Sequence, residues 1–198
     1  MDEFYSSPQP IDLHSISALQ EIPVREGISL RPLAQSDAPS ILEILDADPE
    51  IRDRVYVASL LHTPEDVTQE VERIAADPNL LRFSIENEGH CVGLISFWRD
   101  IDNPVFDDVD NPNDYGFGYF LDPSERGKGL VTDAVQAVIG RARDNLHIRQ
   151  FIAYCEDNNP ESISVLINMG FQPQSNIPAI ANNGWLAQKY ILSSGKTS

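Results

Sequence analysis

The chain has 198 residues, enough for one domain with a full hydrophobic core and short for two. Its 31 acidic against 14 basic side chains give a formal charge of −17, which argues against a main role on the phosphate backbone of nucleic acid and favours a cationic partner or none. No apolar run approaches the roughly 20 residues needed to cross a bilayer, and Met1-Asp2-Glu3-Phe4 lacks the basic start and apolar stretch of a secretory signal; a soluble, cytoplasmic protein with no membrane partner is expected. Cys91 and Cys155 each fall inside an apolar, strand-like run, the setting of inert core thiols rather than of a disulfide or a metal pair.

In chain order, residues 1–26 carry scattered proline and serine without a sustained period and are expected as an N-terminal arm or tail, with one folded domain over residues 27–194. The stretch from Ile28 to Leu33 alternates as a first strand, and Ser36-Asp37 can cap a helix carrying Ile41, Leu42, Ile44 and Leu45 until Asp48-Pro49 ends it. Thr63-Pro64-Glu65-Asp66 is a capped helix start, with Val67, Val71 and Ile74 on one face before Asp77-Pro78-Asn79. Two apolar strands, from Leu80 to Ile85 and from Cys91 to Trp98, are joined through Asn87-Glu88-Gly89-His90 as a hairpin. A connection rich in aspartate follows: Asp100, Asp102, Asp107, Asp108, Asp110 and Asp114 are opposed by Arg99 alone, so whatever approaches meets a negative field. Its spacing lacks the glycine and terminal glutamate of a calcium loop, and no metal is expected.

A strand from Tyr115 through Gly116, Phe117, Gly118, Tyr119, Phe120 and Leu121 then runs by way of Asp122-Pro123-Ser124-Glu125 into Arg126-Gly127-Lys128-Gly129-Leu130-Val131, a glycine-rich loop opening a helix that reaches about Asn145. Such a loop cannot hide its amides behind side chains, and the helix it opens leaves its first N–H groups unpaired with a partial positive charge, which makes an anion site suited to a phosphate. An apolar strand from Phe151 to Cys155 follows, then Asn158-Asn159-Pro160-Glu161-Ser162 and a short helix ending at Gly170-Phe171. Phe171 to Gln174 and Trp185 to Leu192 close the chain as strands, with Ser175 to Gly184 a long connection over which substrate could lie. The order of elements is mixed α/β in a single domain.

The loop, with Asn159, Ser162 and the Gly170-Phe171 helix end in order behind it, resembles the GNAT N-acetyltransferases over roughly Ile28 to Leu192. The run from Gly118 to Pro123 ahead of the loop is most similar to the RimJ/RimL branch, which acetylates protein N-termini and related amines. The resemblance implies a GNAT-like central mixed sheet of about six to seven strands flanked by helices. It also implies acetyl-CoA as co-substrate, its pyrophosphate on Arg126, Gly127, Lys128, Gly129, Leu130 and Val131, and its pantetheine arm along Phe120 and Leu121 and against Asn159. Val131 stands where the family carries glycine or alanine. Asn159 reads equally as a capping asparagine before Pro160.

Acetyl transfer to an amine needs a neutral nucleophile, stabilisation of the tetrahedral oxyanion and a proton for the departing thiolate. Many relatives place a tyrosine acid at the position of Leu166; the RimJ/RimL branch instead carries a serine matching Ser162, the candidate to hydrogen-bond the sulfur, which otherwise reads as an ordinary first-turn residue. The glutamate base of relatives falls at Gly116, leaving Asp114, or a water relay past Tyr115 or Tyr119, to remove the ammonium proton. Tyr119 reads also as a core aromatic with its hydroxyl satisfied. Nothing resembles a nucleophile elbow or a Cys/His pair, so direct attack is expected. The expected function is an N-acetyltransferase acting on a primary, cationic amine, a protein or peptide N-terminus ahead of a polyamine or aminoglycoside. The alternative is a coenzyme A-binding module without transfer activity. Homodimers occur in the family, and the N-terminal arm could serve one.

Overall fold

The computed structural model describes residue 13 and residues 21–99, 114–174, 179–180 and 186–193. One mixed sheet organises them. Strands β1 (Ile22–Arg25), β2 (Ile28–Pro32), β3 (Leu80–Asn87), β4 (His90–Arg99) and β5 (Tyr115–Leu121) pair antiparallel in sequence order. Strand β6 (Gln150–Cys155) joins β5 in parallel, and β9 (Leu186–Ser193) pairs antiparallel with β6 and with the two-residue strands β7 (Gln172–Pro173) and β8 (Ala179–Ile180). The sheet thus has nine strands among the described residues, more than the expected six to seven, because the two-residue β8 carries no period-2 signal and β1 lay in the segment read as an arm, whereas β7 falls within the strand expected from Phe171 to Gln174. The first strand is therefore not Ile28 onward but Ile22–Arg25, and Leu13, still earlier, is fully buried with its amide donating to the Pro78 carbonyl at 2.9 Å.

Two apolar clusters sandwich the sheet, and strand alternation sorts side chains between them. Ile95, Phe97, Tyr115, Phe117 and Leu121 pack against Leu130, Ala134, Val135, Val138, Ile139 and Ala142 of helix α4 (Leu130–Leu146). On the opposite face, Leu94 and Phe120 meet Ile41, Ile44 and Leu45 of α1 (Ala38–Ala47), Ile51 of α2 (Glu50–Arg54) and Val67 of α3 (Pro64–Ala76). Helix α3 begins as its sequence predicts: the Thr63 hydroxyl accepts the Asp66 amide at 3.2 Å, and the Asp66 carboxylate accepts the Thr63 amide at 2.8 Å. The β3–β4 hairpin turns through Glu88 and Gly89, both at positive φ, as a two-residue hairpin of this twist requires.

Asp37 departs from its expected capping role. It precedes α1 but its side chain does not cap; the carboxylate, nearly fully buried, accepts from the Arg31 guanidinium at 2.5 and 2.8 Å, the Ser84 hydroxyl at 2.6 Å and the Ala34 amide at 2.9 Å. Nearby, Glu70 of α3 is shared by Arg73 and by Arg82 of β3, with Glu70 and Arg82 both buried. Among the described residues no helix is long and apolar enough to cross a membrane, and no group of three or more His, Cys, Asp or Glu is placed to hold a metal ion. The aspartate-rich stretch from Asp100 to Asp110 and Trp185 lie outside the described residues, as does most of the connection from Ser175 to Gly184.

Candidate active site

The cleft begins where the only parallel pair of the described sheet comes apart. Strands β5 and β6 are in register at Tyr115 with Phe151 and Gly116 with Ile152, and then separate, while β5 stays paired to β4 as far as Leu121 opposite Gly93. The other edge of β5 from Phe117 onward, with its row of main-chain donors and acceptors, therefore faces a gap. A cavity of about 940 Å³ fills that gap, lined by Phe117 to Leu121, Arg126, Gly127, Gly129 to Thr132, Ala153 to Glu156, Asn159 and Ser162.

At one end of the gap lies the glycine loop. The Asp122 carboxylate accepts the Ser124 amide and hydroxyl, each at 2.7 Å, and sets the 3₁₀ turn Pro123–Glu125. The Arg126 guanidinium folds back to the Leu121 carbonyl at 3.2 and 3.3 Å and pairs with Asp48 at 2.7 Å, tying the loop to the end of α1. Gly127 and Gly129 take φ of +74° and +73°, with nothing within 4 Å of where a Cβ would stand, so glycine is required by the backbone turn and not by crowding. Gly129 is the N-cap of α4 and no side chain caps that end, which leaves the first amides of the helix for a ligand. Val131 is buried in the core cluster packed around α4 and also lines the cavity. Lys128 is half exposed, pairs with Glu125 at 3.1 Å and does not line the cavity. Arg25 of β1, which carried no signal in the sequence, donates to the Lys128 carbonyl at 3.2 Å and to Asp133 at 2.8 Å and braces the loop from outside.

Across the gap, Asn159 is the N-cap of α5 (Pro160–Asn168), its side-chain oxygen accepting the Ser162 amide at 3.1 Å. That leaves its amide nitrogen for a ligand. The Tyr119 hydroxyl donates to Ser162 Oγ at 3.1 Å, so the tyrosine from β5 and the serine from α5 bridge the cleft. Burial pushes the Tyr119 hydroxyl up to about 12, against the lowering effect of the Ser162 bond, and it stays a proton donor through the neutral range. Burial, with the Glu156 and Asp157 carboxylates adding to it, likewise pushes the Cys155 thiol up to about 12. A thiol held protonated beside the cleft is not a nucleophile, consistent with direct attack. Leu166 is buried on the cavity wall, and Gly170, at φ +88°, ends the helix with the Phe171 amide returning to the Leu166 carbonyl at 3.0 Å.

Asp114 does not fall where its expected role needs it. It is 1% exposed, accepts from Gln150 Nε2 at 2.6 Å, and does not line the cavity, because it precedes the point at which β5 and β6 are still zipped together. The position of the missing base has a physical explanation. Trp98 on β4 pairs with Gly116, and its indole lies over it; a Cβ at 116 would stand 2.5 Å from Cζ2 and 2.6 Å from Nε1. The same ring passes 3.6 Å from where a Gly118 Cβ would be. An aromatic on one strand covering glycines on its neighbour is a known sheet device, but it becomes visible only once the register is known.

A protein-family model described as the acetyltransferase (GNAT) domain matches residues 28–172. The chain belongs to the GNAT acetyltransferase family. Among curated proteins it is 25% identical to the ribosomal-protein-serine acetyltransferase of Escherichia coli (strain K12) over 161 residues, 77% of this chain and 83% of that one. Among solved structures, the RimL ribosomal L7/L12 alpha-N-protein acetyltransferase in complex with coenzyme A superposes at a TM-score of 0.72 and 18% identity, covering 88% of this GNAT chain and 98% of that one. The aminoglycoside acetyltransferase AAC(6')-Ib in complex with ribostamycin and coenzyme A superposes at 0.69 and 18% identity, covering 84% and 93%. At these identities the structural likeness establishes a shared GNAT fold.

Proposed function

We propose that the protein transfers the acetyl group of acetyl-CoA to the α-amino group of a protein or peptide N-terminus by direct attack. The observation that carries the reading is the separated β5–β6 pair, with an uncapped, glycine-opened helix end at its mouth and the Tyr119–Ser162 bridge inside. The pyrophosphate of acetyl-CoA would sit on the amides from Gly127 to Val131, and the pantetheine arm would pair with the free edge of β5 at Phe120 and Leu121, beside the side-chain amide of Asn159. The thioester then reaches Ser162. As the amine nitrogen bonds to the carbonyl carbon and the C–S bond breaks, the Ser162 hydroxyl donates to the developing thiolate, with the Tyr119 hydroxyl donating to Ser162 behind it. The proton lost from nitrogen goes to water.

The proton balance favours an α-amino group. With glycine at 116 and Asp114 turned to Gln150, none of the strand residues lining the cavity supplies a carboxylate base; the carboxylates that line it, Asp48, Glu50, Asp77, Glu125, Glu156 and Glu161, stand on helices and loops, and we infer that the acceptor deprotonates in solvent. At pH 7 an α-amine of pKa near 8 is about one-tenth free base, whereas a lysine-like amine near 10.4 is about 1 part in 2,500. The likeness to two ribosomal-protein acetyltransferases supports the same class, and the charge of −17 favours a cationic acceptor. A small cationic amine is the second reading, supported by the likeness to AAC(6')-Ib. Thiol release from acetyl-CoA at pH 7, with a peptide bearing a free N-terminus, an Nα-blocked lysine peptide and ribostamycin, tests it. The free N-terminus is expected to turn over fastest. Preference for ribostamycin would move the protein to the second reading, and coenzyme A binding without turnover on any amine would make it a binding module.

A further inference from the structure

One carboxylate ties the two walls of the cavity together. Asp48 follows α1; its Oδ2 accepts from Arg126 Nη2 at 2.7 Å, and its Oδ1 accepts the Glu50 amide that opens α2 at 3.2 Å. Arg126 leads into the glycine loop and is fixed on its other side by the Leu121 carbonyl, at 3.2 and 3.3 Å. Both side chains line the cavity, Asp48 at 22% exposure and Arg126 at 46%. Past Asp48 the chain builds the second wall. Ile51, Arg54, Val55, Tyr56 and Val57 line the same cavity, and Ile51 and Val57 pack with Leu94 and Phe120 on the sheet face opposite α4. With the coenzyme on the loop amides and the β5 edge, this wall is left for the acceptor. A helix of five residues does not hold itself, and Arg52 fastens α2 in place: Nη1 donates to the Leu45 carbonyl at 2.7 Å, Nη2 to Asp46 at 3.2 Å and Nε to the Leu61 carbonyl at 3.3 Å. The segment from Leu45 to Leu61 is thus one fastened piece, and Asp48 connects it to the coenzyme loop.

An ion pair this open contributes little to stability, so its use lies in geometry. Each partner is already held by a second bond, and little side-chain freedom remains to be lost when they meet. The guanidinium is engaged by a carbonyl and a carboxylate, which leaves the pyrophosphate to the loop amides. We propose that Asp48 and Arg126 are positioning residues that carry the placement of the coenzyme loop to the acceptor wall. Acetyl-CoA, by ordering the loop, orders residues 49–57 through this pair, and the acceptor then meets a wall whose ordering cost has been met. This rests on the coenzyme placement of the preceding subsection and holds for either acceptor class named there.

The test compares the wild-type chain with Asp48→Asn, Arg126→Met and the double variant. Asparagine keeps an oxygen for the Glu50 amide and sets an N–H group against Arg126, so it cuts the tie without removing the start of α2. Amide hydrogen exchange is followed with and without saturating coenzyme A. In the wild type, coenzyme A is expected to slow exchange at least about fivefold both in residues 127–132 and in residues 50–57. In Asp48→Asn the loop protection stays, the protection over 50–57 falls at least about threefold, and adding Arg126→Met lowers it no further. With whichever of the three amines of the preceding subsection turns over fastest, the acceptor KM is expected to rise about fivefold in Asp48→Asn, with kcat and coenzyme A affinity within about twofold. Unchanged protection over 50–57 in Asp48→Asn overturns the proposal and leaves the coenzyme site standing. Faster exchange there when coenzyme A is added to the wild type does the same, since Arg126 would then have left Asp48 for the pyrophosphate. Protection lost over both segments together in Asp48→Asn returns the pair to a role in holding the fold. No protection of 127–132 in the wild type overturns the coenzyme placement and this proposal with it.

Discussion

The Tyr119 and Ser162 hydroxyls stand 3.1 Å apart, so a double-mutant cycle on them separates catalysis from packing. On the proposed mechanism, Ser162→Ala removes the group that meets the sulfur as charge develops on it. A hydrogen bond to a charged group contributes about 1.5–3 kcal/mol, so turnover should fall about 10- to 150-fold. Coenzyme affinity should move less than about twofold, because the neutral thioester gains little from the same hydroxyl. Tyr119→Phe leaves Ser162 where its own helix holds it, with the amide on Asn159 at 3.1 Å, and removes only the donor behind it. That neutral bond is worth about 1 kcal/mol, or about fivefold in rate. If Tyr119 acts through Ser162, the double variant is no slower than Ser162→Ala alone. Stability follows another pattern: Ser162→Ala strands the largely buried Tyr119 hydroxyl at about 1–3 kcal/mol, and adding Tyr119→Phe recovers most of the loss. Initial rates of thiol release at saturating substrates, calorimetric coenzyme A affinities and melting temperatures give all four corners. Rate losses that simply multiply, or wild-type turnover in Ser162→Ala, would refute the relay.

Gly129→Val forces a β-branched residue to φ near +73° and should erase most of the roughly 2.7 kcal/mol that acetyl-CoA adds to folding stability at a hundredfold excess over Kd; unchanged coenzyme affinity would place the pyrophosphate elsewhere. Arg25→Ala should raise the KM for acetyl-CoA about three- to tenfold with kcat within about twofold, since Arg25 braces the Lys128 carbonyl and touches no reacting atom; an unmoved KM would leave a half-exposed pair of little consequence. Burial opposes the charged forms of Asp37 and Glu70, yet hydrogen bonds from Arg31, Ser84 and the Ala34 amide to the first, and from Arg73 and Arg82 to the second, hold both carboxyls below their usual range. Their stabilisation is therefore present above the unfolded values near 4 and lost as pH falls through the lower folded ones, so the urea midpoint should hold from about pH 5 to 7 and drop below about pH 4. Glu70→Gln, which leaves Arg82 buried without a counter-charge, should cost about 3–5 kcal/mol at neutral pH, and a loss under about 1 kcal/mol would show that Arg82 finds another partner.

What the sequence made legible was local. The Thr63 capping box, the Glu88-Gly89 turn and the glycine loop into α4 each depend on residues within four positions of one another, and each formed where its pattern lay. Placement across the sheet was not legible. Ile22-Pro23-Val24-Arg25 is too short and too near prolines to read as a strand, and becomes one only because β2 offers an edge. Ser36-Asp37 had the composition of a helix cap, but the partly exposed Arg31 guanidinium and the buried Ser84 hydroxyl, 6 and 47 residues away, took the carboxylate instead. Asp114 lies two residues from the glycine that replaces the family's base, yet the β5–β6 pairing just after it closes the route from its carboxylate to the cleft.

Trp98 shows why the catalytic half of the site was the hardest to read. In the sequence it was only the end of an apolar strand, and Gly116 stood where relatives keep a base, but the two are one feature: the indole occupies the space that a side chain at 116 would need. A carboxylate cannot return there while the ring stays. On the proposed mechanism, in which no side chain acts as base, this has a kinetic consequence: the acceptor enters as free amine and the rate inherits the acceptor's titration. The kcat/KM for a peptide N-terminus should rise about tenfold per pH unit and level off near pH 8, whereas for an alkylamine it should keep rising to about pH 10.4. A side chain acting as base would impose one limb on both acceptors. Two amines of well-separated pKa sharing a single inflection would therefore assign the proton to the protein, and inflections that follow each amine assign it to solvent.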